Sequence, residues 1–311
     1  MSAIDITISE VGPRDGLQSI QPVMATEAKK AWITALHGAG VPEIEVGSFV
    51  PATVLPQLAD TAELVAHART LTGLTVAVLV PNLRGARDAI AAGAHKITIP
   101  LSVSETHSLR NVRRTHAQMY EAVAAIAEAI TALPVDQRPL LEGGLSTAFG
   151  CTLEGRISEA QVLRAAEQLL AAGCDEVGLS DTTGYADPRS VRRLTQAIWD
   201  RFGHKVLTGI HLHNTRGQGL ACALAAVETG LTTVDASMGG IGGCPFAPGA
   251  SGNIVTEDLV FMLEAMGLRT GIDLEKLLQV RQIVRNALPD GIALYGFTPE
   301  AGLPKGFRQA P

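Results

Sequence analysis

The chain is short of cysteine, of aromatic residues and of long apolar runs. Its 311 residues include 4 cysteines. Cys151, Cys174, Cys222 and Cys244 are scattered, with no Cys-x-x-Cys pair, which makes a poor disulfide framework. No stretch reaches the roughly 18 continuous apolar residues that a membrane helix needs, so no membrane partner is expected. No basic run stands out among 25 basic and 31 acidic residues, and the net charge is −6; a nucleic-acid footprint is not expected. The opening Met-Ser-Ala-Ile-Asp-Ile-Thr lacks the basic n-region and apolar h-region of an export signal. A soluble, reduced, cytoplasmic protein is the expectation. What is plentiful is aliphatic: 46% of residues are hydrophobic and 18% charged. That is ample material for a buried core and excludes a disordered chain.

Apolar runs of strand length alternate with helical patterns from end to end. Strands are expected at 4–11, 43–49, 74–80, 96–101, 140–147, 176–180, 207–213 and 233–237. Helical patterns follow at 25–39, 57–69, 83–92, 106–132, from Ser158 to Gly173, from Pro188, at 218–229 and at 256–266, with a further helix at 274–288. Ser158 and Gln161 fit a capping box. The recurrent Ala-Gly or Thr-Gly joins, such as Ala92-Gly93 before Ile97, read as helix stops feeding buried strands. Eight βα units in strict alternation predict a closed (β/α)8 barrel, a TIM barrel of about 250 residues. We read one catalytic domain over 1–311, with the barrel at about 4–267 and a C-terminal helical extension at about 268–311. The rival is a doubly wound open sheet, but no Gly-x-Gly-x-x-Gly follows the first strand.

Barrel enzymes carry their chemistry at the C-terminal strand ends. Polar residues fall there: Glu10, Arg14, Asp15 and Gln18 after strand one, Glu45 and Ser48 on strand two, and Asn82 after strand three. Ser146 and Thr147 follow strand five, Asp181 and Thr182 strand six, and His211, His213 and Asn214 lie on or just after strand seven. His211-Leu212-His213 is the strongest signal. On a strand, residues i and i+2 share a face, so both imidazoles would meet at the barrel mouth. Two such rings can chelate one divalent cation or can simply hydrogen-bond each other. Asp15 tips the balance, because strands one and seven both neighbour strand eight in a closed ring. Two imidazoles and a carboxylate suit Mn²⁺, Mg²⁺, Fe²⁺ or Zn²⁺; an added amide oxygen from Asn253 moves the set towards Mg²⁺ or Mn²⁺. Arg14 is placed to hold negative charge developing on an oxygen, or to pair with Glu45 or Asp181. The glycine- and proline-rich run 239–252 reads as a lid carrying Cys244 as a reactive thiol. Cys174 and Cys222 read as buried structural thiols, and Cys151 as a weaker reactive candidate.

Several long motifs agree, in order, with one family. Val11-Gly-Pro-Arg-Asp-Gly-Leu-Gln18, Ile44-Glu45, Ser180-Asp181-Thr182, His211-x-His213 and Gly242-Gly-Cys-Pro-x-Ala-x-Gly-Ala-Ser-Gly-Asn253 resemble 3-hydroxy-3-methylglutaryl-CoA lyase over about residues 5–290. Related condensing synthases typically carry Asp-Gly-Glu-Gln, where this chain has Asp15-Gly-Leu-Gln18. The resemblance implies cleavage of 3-hydroxy-3-methylglutaryl-CoA to acetyl-CoA and acetoacetate, the chemistry of leucine catabolism and ketone-body formation. It implies a cofactor, Mg²⁺ or Mn²⁺, on Asp15, His211, His213 and Asn253. Arg14, Asp15, His211 and Cys244 are the implied catalytic residues. Gln18, Glu45, Ser48, Asn82, Ser146, Thr147, Asp181 and Thr182 are expected to bind substrate or to support the others, with Glu45 and Asp181 orienting Arg14 and the ligands. It also implies a homodimer or higher homo-oligomer.

Three segments depart from the family pattern. Asn-Glu-Lys after Gly-Leu-Gln is Ser19-Ile20-Gln21 here. The Asp-Thr-Tyr-Gly that follows the second histidine is Asn214-Thr215-Arg216-Gly217. Cys-Pro-Tyr-Glu-Gly is Cys151-Thr152-Leu153-Glu154-Gly155. These changes spare the metal set and fall around the acyl site, so a citramalyl-CoA or a longer 3-carboxymethyl acyl-CoA is an alternative substrate. A condensing synthase and a non-catalytic barrel are the remaining alternatives.

Overall fold

The computed structural model describes residues 4–242 and 252–310. Eight parallel strands close into a ring in chain order. They are β1 (Thr7–Glu10), β2 (Glu43–Ser48), β3 (Thr75–Leu79), β4 (Lys96–Ser102), β5 (Leu140–Ser146), β6 (Glu176–Asp181), β7 (Gly209–Leu212) and β8 (Thr233–Ala236). The ring is sealed where Thr7, Ile8, Ser9 and Glu10 of β1 pair with Thr233, Val234, Asp235 and Ala236 of β8. The TIM-barrel reading is therefore correct, and the open-sheet rival is excluded.

The helices lie outside the ring. They are α1 (Thr26–Gly38), α2 (Thr61–Ala68), α3 (Leu83–Ala92), α4 (Glu105–Asn111), α5 (His116–Thr131), α6 (Glu159–Ala171), α7 (Pro188–Phe202), α8 (Gly219–Thr229), α9 (Thr256–Ala265) and α10 (Leu274–Ala287). The core fills the layer between strands and helices. Ile8, Ile44, Val46, Val76, Val78, Ile97, Ile99, Leu145, Leu179, Leu212 and Val234 point outward from the strands and meet Trp32, Leu36, Leu64, Val65, Ile126 and Leu169 of the helices. Each such side chain contributes about 1.5–3 kcal/mol when fully buried.

The inward positions are of another kind. Ser9, Glu43, Glu45, Lys96, Thr98, Glu142, Gly144, Ser146, Gly178, Ser180, Gly209, His211, Thr233 and Asp235 line a cavity of about 700 Å³ that runs down the barrel axis. The strand interiors beneath the mouth are thus polar and small. Near the strand starts, Lys96 Nζ lies 2.5 Å from Glu142, 3.3 Å from Glu176 and 3.6 Å from Glu43, which keeps an ammonium charged inside the ring.

One expected helix is two. The pattern over 106–132 breaks between α4 and α5, where Arg113 takes φ +56°. Thr115 then starts a new helix with a capping box: its side chain accepts from Gln118 N–H, and Gln118 answers the Thr115 N–H. Ser158 and Gln161 form the expected box at α6. After α10, residues 288–310 hold no helix, so only the first part of the C-terminal extension is helical. Tyr295 N donates to Gly239 O at 2.7 Å. Arg281 donates to Glu257 Oε1 and to the carbonyls of Tyr295 and Leu294, which ties this segment to the start of the glycine-rich run.

Candidate metal centre

The centre begins with a wide turn after β1. The N–H groups of Arg14, Asp15 and Gly16 converge on the single carbonyl of Val11, at 3.1, 2.7 and 3.3 Å, which winds Gly12–Gly16 into one π-type turn. Pro13 is tolerated there because early helical N–H groups have no partner to lose. Turns of this kind re-aim side chains and often mark functional sites. Here the turn carries Arg14 and Asp15, both buried, to the barrel mouth. Arg14 Nε donates to Glu45 Oε2 at 2.5 Å and its Nη1 to Asp15 Oδ1 at 2.7 Å. Gln18 Nε2 adds a bond to Asp15 Oδ1 at 3.2 Å. Asn253 Nδ2 donates to Asp15 Oδ2 at 2.7 Å and to Ile241 O at 3.2 Å.

The two imidazoles are set by what holds their far nitrogens. His213 Nδ1 lies 3.0 Å from the Thr182 carbonyl, and His211 Nδ1 lies 3.1 Å from Asp235 Oδ2. A carbonyl and a carboxylate can only accept, so each Nδ1 carries a hydrogen and each Nε2 of a neutral ring presents a lone pair. Those two Nε2 atoms lie 3.2 Å apart. Two lone pairs at that distance repel unless a proton or a cation sits with them. Asp15 Oδ2 lies 3.9 Å from His213 Nε2, and donor atoms of Asp15, His211 and His213 all fall within 4.8 Å of one another. Beside them Asn253 Oδ1 is buried and has no hydrogen-bond partner among the described residues, an orphaned oxygen of the kind that a ligand or ion satisfies. Two imidazole nitrogens, a carboxylate and an amide oxygen fit a divalent first-row cation or Mg²⁺. Gly242 clears the approach: at φ +144°, a Cβ there would clash with Asn253 Nδ2 and come within 3.2 Å of Asp15 Oδ2.

The electrostatics agree with a cation-holding site. Burial pushes the Asp15 carboxyl up, but the Arg14 guanidinium and the two imidazoles outweigh it and hold it far below the usual carboxylate range. Burial likewise opposes the His211 cation, but its bond to Asp235 and the charges of Asp15 and Asp235 raise its pKa. Burial raises Glu45 against the pull of Arg14. Behind the centre, Glu10 points away from the cavity and takes hydrogen bonds from Gly12 N, Met238 N and Thr256 Oγ1 at 2.9, 2.8 and 2.6 Å. Its complete burial pushes its pKa up to about 8.

The structure gathers some of the expected residues and separates others. Arg14, Asp15, Gln18, Glu45, Asn82, Ser146, Thr182, His211 and His213 line the cavity, and Asn253 abuts Asp15. Asn82 also caps α3 by accepting from Gly85 N–H. Ser48, Thr147 and Asp181 are buried outside the cavity. Alternation explains two of them: β5 turns Glu142, Gly144 and Ser146 inward and β6 turns Gly178, Ser180 and Thr182 inward, so 147 and 181 face the helices, whereas Ser48 follows a bulge between Glu45 and Gly47 that breaks the alternation of β2. Thr147, at φ +58°, accepts from Ser104 N–H. Asp181 accepts from Tyr185 N and Ala186 N at 2.8 and 3.0 Å. It therefore shapes the turn whose Thr182 carbonyl holds His213, rather than orienting Arg14 as expected. Cys151 is fully buried, with its Sγ accepting from Leu153 N–H, so it is no exposed thiol. Cys174 and Cys222 are buried, and burial raises both thiols to about 12. Cys244 lies outside the described residues. Asp235 was missed, although an aspartate inside the apolar run of β8 is the same signal that the twin histidines give in β7.

A family model described as HMGL-like matches residues 5–284. The mitochondrial hydroxymethylglutaryl-CoA lyase of Mus musculus is 38% identical over 283 residues, covering 91% of this chain and 86% of that protein. The hydroxymethylglutaryl-CoA lyase of Bacillus subtilis (strain 168) is also 38% identical, covering 91% and 93%. Among solved structures, an HMG-CoA lyase from Acinetobacter baumannii in complex with coenzyme A and 3-methylmalate superposes with a TM-score of 0.90 at 38% identity, covering 100% of both chains.

Proposed function

Because the chain belongs to the HMGL-like family, we propose that it is a divalent-metal-dependent carbon–carbon lyase that cleaves 3-hydroxy-3-methylglutaryl-CoA to acetyl-CoA and acetoacetate. The observation that carries this reading is the pair of facing Nε2 atoms with Asp15 and the orphaned Asn253 Oδ1 beside them. Asp15, His211, His213 and Asn253 would hold the cation, Mg²⁺ or Mn²⁺. When bound, it supplies Lewis acidity to the tertiary hydroxyl and free carboxylate of the substrate, lowering the hydroxyl pKa.

A base near Asp15 takes the hydroxyl proton, and the C2–C3 bond then breaks. The C3 oxygen becomes the ketone of acetoacetate, and the bonding pair passes into the thioester enolate. Arg14, pinned by Glu45 and Asp15, is preorganised to hold the charge that grows on the enolate oxygen. A proton returned to C2 gives acetyl-CoA; Cys244 and His211 are the donors in this reading. Asp15 is held so acidic that it suits a ligand better than a base. Gln18, Asn82, Ser146 and Thr182 supply polar contacts in the cavity. We read the chain as one catalytic domain working as a homo-oligomer in the cytoplasm; no helix among the described residues is long and apolar enough to cross a membrane.

An acyl-CoA panel tests the reaction. With Mg²⁺ or Mn²⁺, acetyl-CoA should be released fastest from the 3-hydroxy-3-methylglutaryl thioester. Faster release from a citramalyl or longer 3-carboxymethyl thioester would move the substrate. Steady release of free coenzyme A from acetyl-CoA and a 2-oxo acid would move the enzyme to the condensing side.

A further inference from the structure

The cavity mouth has two unlike rims. On one side the segment after β2 presents Val50, Val54 and Leu55, with Val54 65% exposed. Two strands further round the ring, after β4, the end of α4 and the turn into α5 present Arg110, Arg113 and Arg114. Arg110 and Arg113 are exposed and Arg114 is half-buried. Among the described residues, none of the three guanidiniums makes a hydrogen bond or an ion pair. The nearby carboxylates are spent elsewhere: Glu105 accepts from His116 N–H and Glu154 from Thr106 N–H.

Arg110 has a local explanation, because a cation in the last turn of a helix favours its dipole. Arg113 and Arg114 have none. Arg113 also sits in the left-handed region at φ +56°, which costs a non-glycine residue about 1–2 kcal/mol. Asparagine or glycine would fill that turn with less strain, so the local fold does not select arginine here. The turn is nonetheless fixed, with Ser108 Oγ donating to Arg114 O at 2.8 Å. A chain with net charge −6 thus holds three uncompensated cations along one edge of this cavity mouth.

The geometry points to this arginine rim as the seat of the phosphate groups of the coenzyme A moiety, with the apolar rim after β2 taking the pantetheine arm. The inference rests on the acyl-CoA reading above and assigns the far end of that substrate. The acyl carboxylate is the other anion available, but it lies two bonds from the carbinol carbon. It must therefore stay near Arg14 and the metal centre, whereas the long uncharged pantetheine arm carries the phosphates outward. Guanidiniums match phosphate oxygens in forked pairs, each worth more than a neutral hydrogen bond.

Binding of free coenzyme A by calorimetry tests this, since that ligand has no acyl carboxylate. The double variant Arg113→Asn/Arg114→Gln removes two charges, and asparagine suits the left-handed backbone. It should weaken coenzyme A about tenfold or more, flatten the salt dependence of binding and keep the wild-type melting temperature. Arg114→Lys, which keeps the charge and loses the fork, should fall between. The KM for the cleaved acyl-CoA should rise with the loss of affinity. Equal affinity of wild type and double variant for coenzyme A, or no binding to wild type, would overturn the assignment. Arginine-dependent binding of coenzyme A by a protein that cleaves no acyl-CoA would support the rim and defeat the lyase reading instead.

Discussion

His211 and His213 face each other through their Nε2 atoms at 3.2 Å, while Asp235 and the Thr182 carbonyl hold the Nδ1 atoms behind them. The rings are aimed from behind at a common point, and Asp15 completes the approach. Replacing His213 by alanine should therefore abolish stoichiometric Mn²⁺ binding and acyl-CoA cleavage while leaving the circular dichroism spectrum of the barrel intact. Full Mn²⁺ occupancy in the variant would show that the cation sits elsewhere.

Asp235 touches no proposed ligand atom, yet it fixes which nitrogen of His211 carries hydrogen. Asp235→Asn can present an amide hydrogen to Nδ1 and so release the proton to Nε2. Partners of this kind are worth about 10–100-fold in metal affinity. A competition titration with a chromophoric chelator should find a loss of that size. Wild-type affinity would reduce Asp235 to a bystander.

Arg14 joins Glu45 to Asp15 through two different nitrogens, which a lysine ammonium cannot reproduce. Arg14→Lys should lower kcat by about 100-fold or more, with the bound metal retained. A drop confined to KM would place Arg14 in ground-state binding alone.

Glu10 links pH to stability. Its carboxyl titrates near 8 in the folded protein, against 4.5 ordinarily, because burial disfavours its anion. The folded state therefore keeps a proton that the unfolded chain gives up. Stability from this group is complete below about pH 4.5 and declines as pH rises through about 8. Glu10→Gln keeps the shape without the titration, so its melting temperature should fall less than that of the wild type between those limits. Parallel curves would refute the assignment.

Arg281 and Glu257 form a pair with side chains 5% and 0% exposed. Arg281→Met leaves a buried carboxylate without its partner and should cost about 3–5 kcal/mol in urea unfolding. Adding Glu257→Gln should restore much of that loss. Equal instability of the single and double variants would mean that packing, rather than charge, governs this corner.

The barrel and most of the candidate metal cluster were legible because they are written in short-range period. His211 and His213 are two apart on one strand, and each helix stop precedes its strand. The placement of three expected residues also follows a rule. Thr147 and Asp181 sit at strand ends on the parity that faces the helices, and Ser48 lies beyond a bulge in β2; proximity to the mouth hid both. The break at Arg113 lay within an unbroken helical pattern, although Thr115 and Gln118 spelled out a helix start inside it. The orphaned oxygen of Asn253, and the aim that Asp235 and the Thr182 carbonyl give the two rings, depend on how distant segments meet, which no local pattern encodes.

Asp15 follows the first strand of the ring, the histidines come from the seventh, and Asn253 comes from beyond the eighth, which zips against the first. An ion held there would clasp the two ends of the fold. A growing chain could not assemble that clasp until its last strand had been made, so ion uptake would report completion of the barrel. A fragment lacking the final strands would be unable to recruit the ion in this way, however well its earlier units had formed.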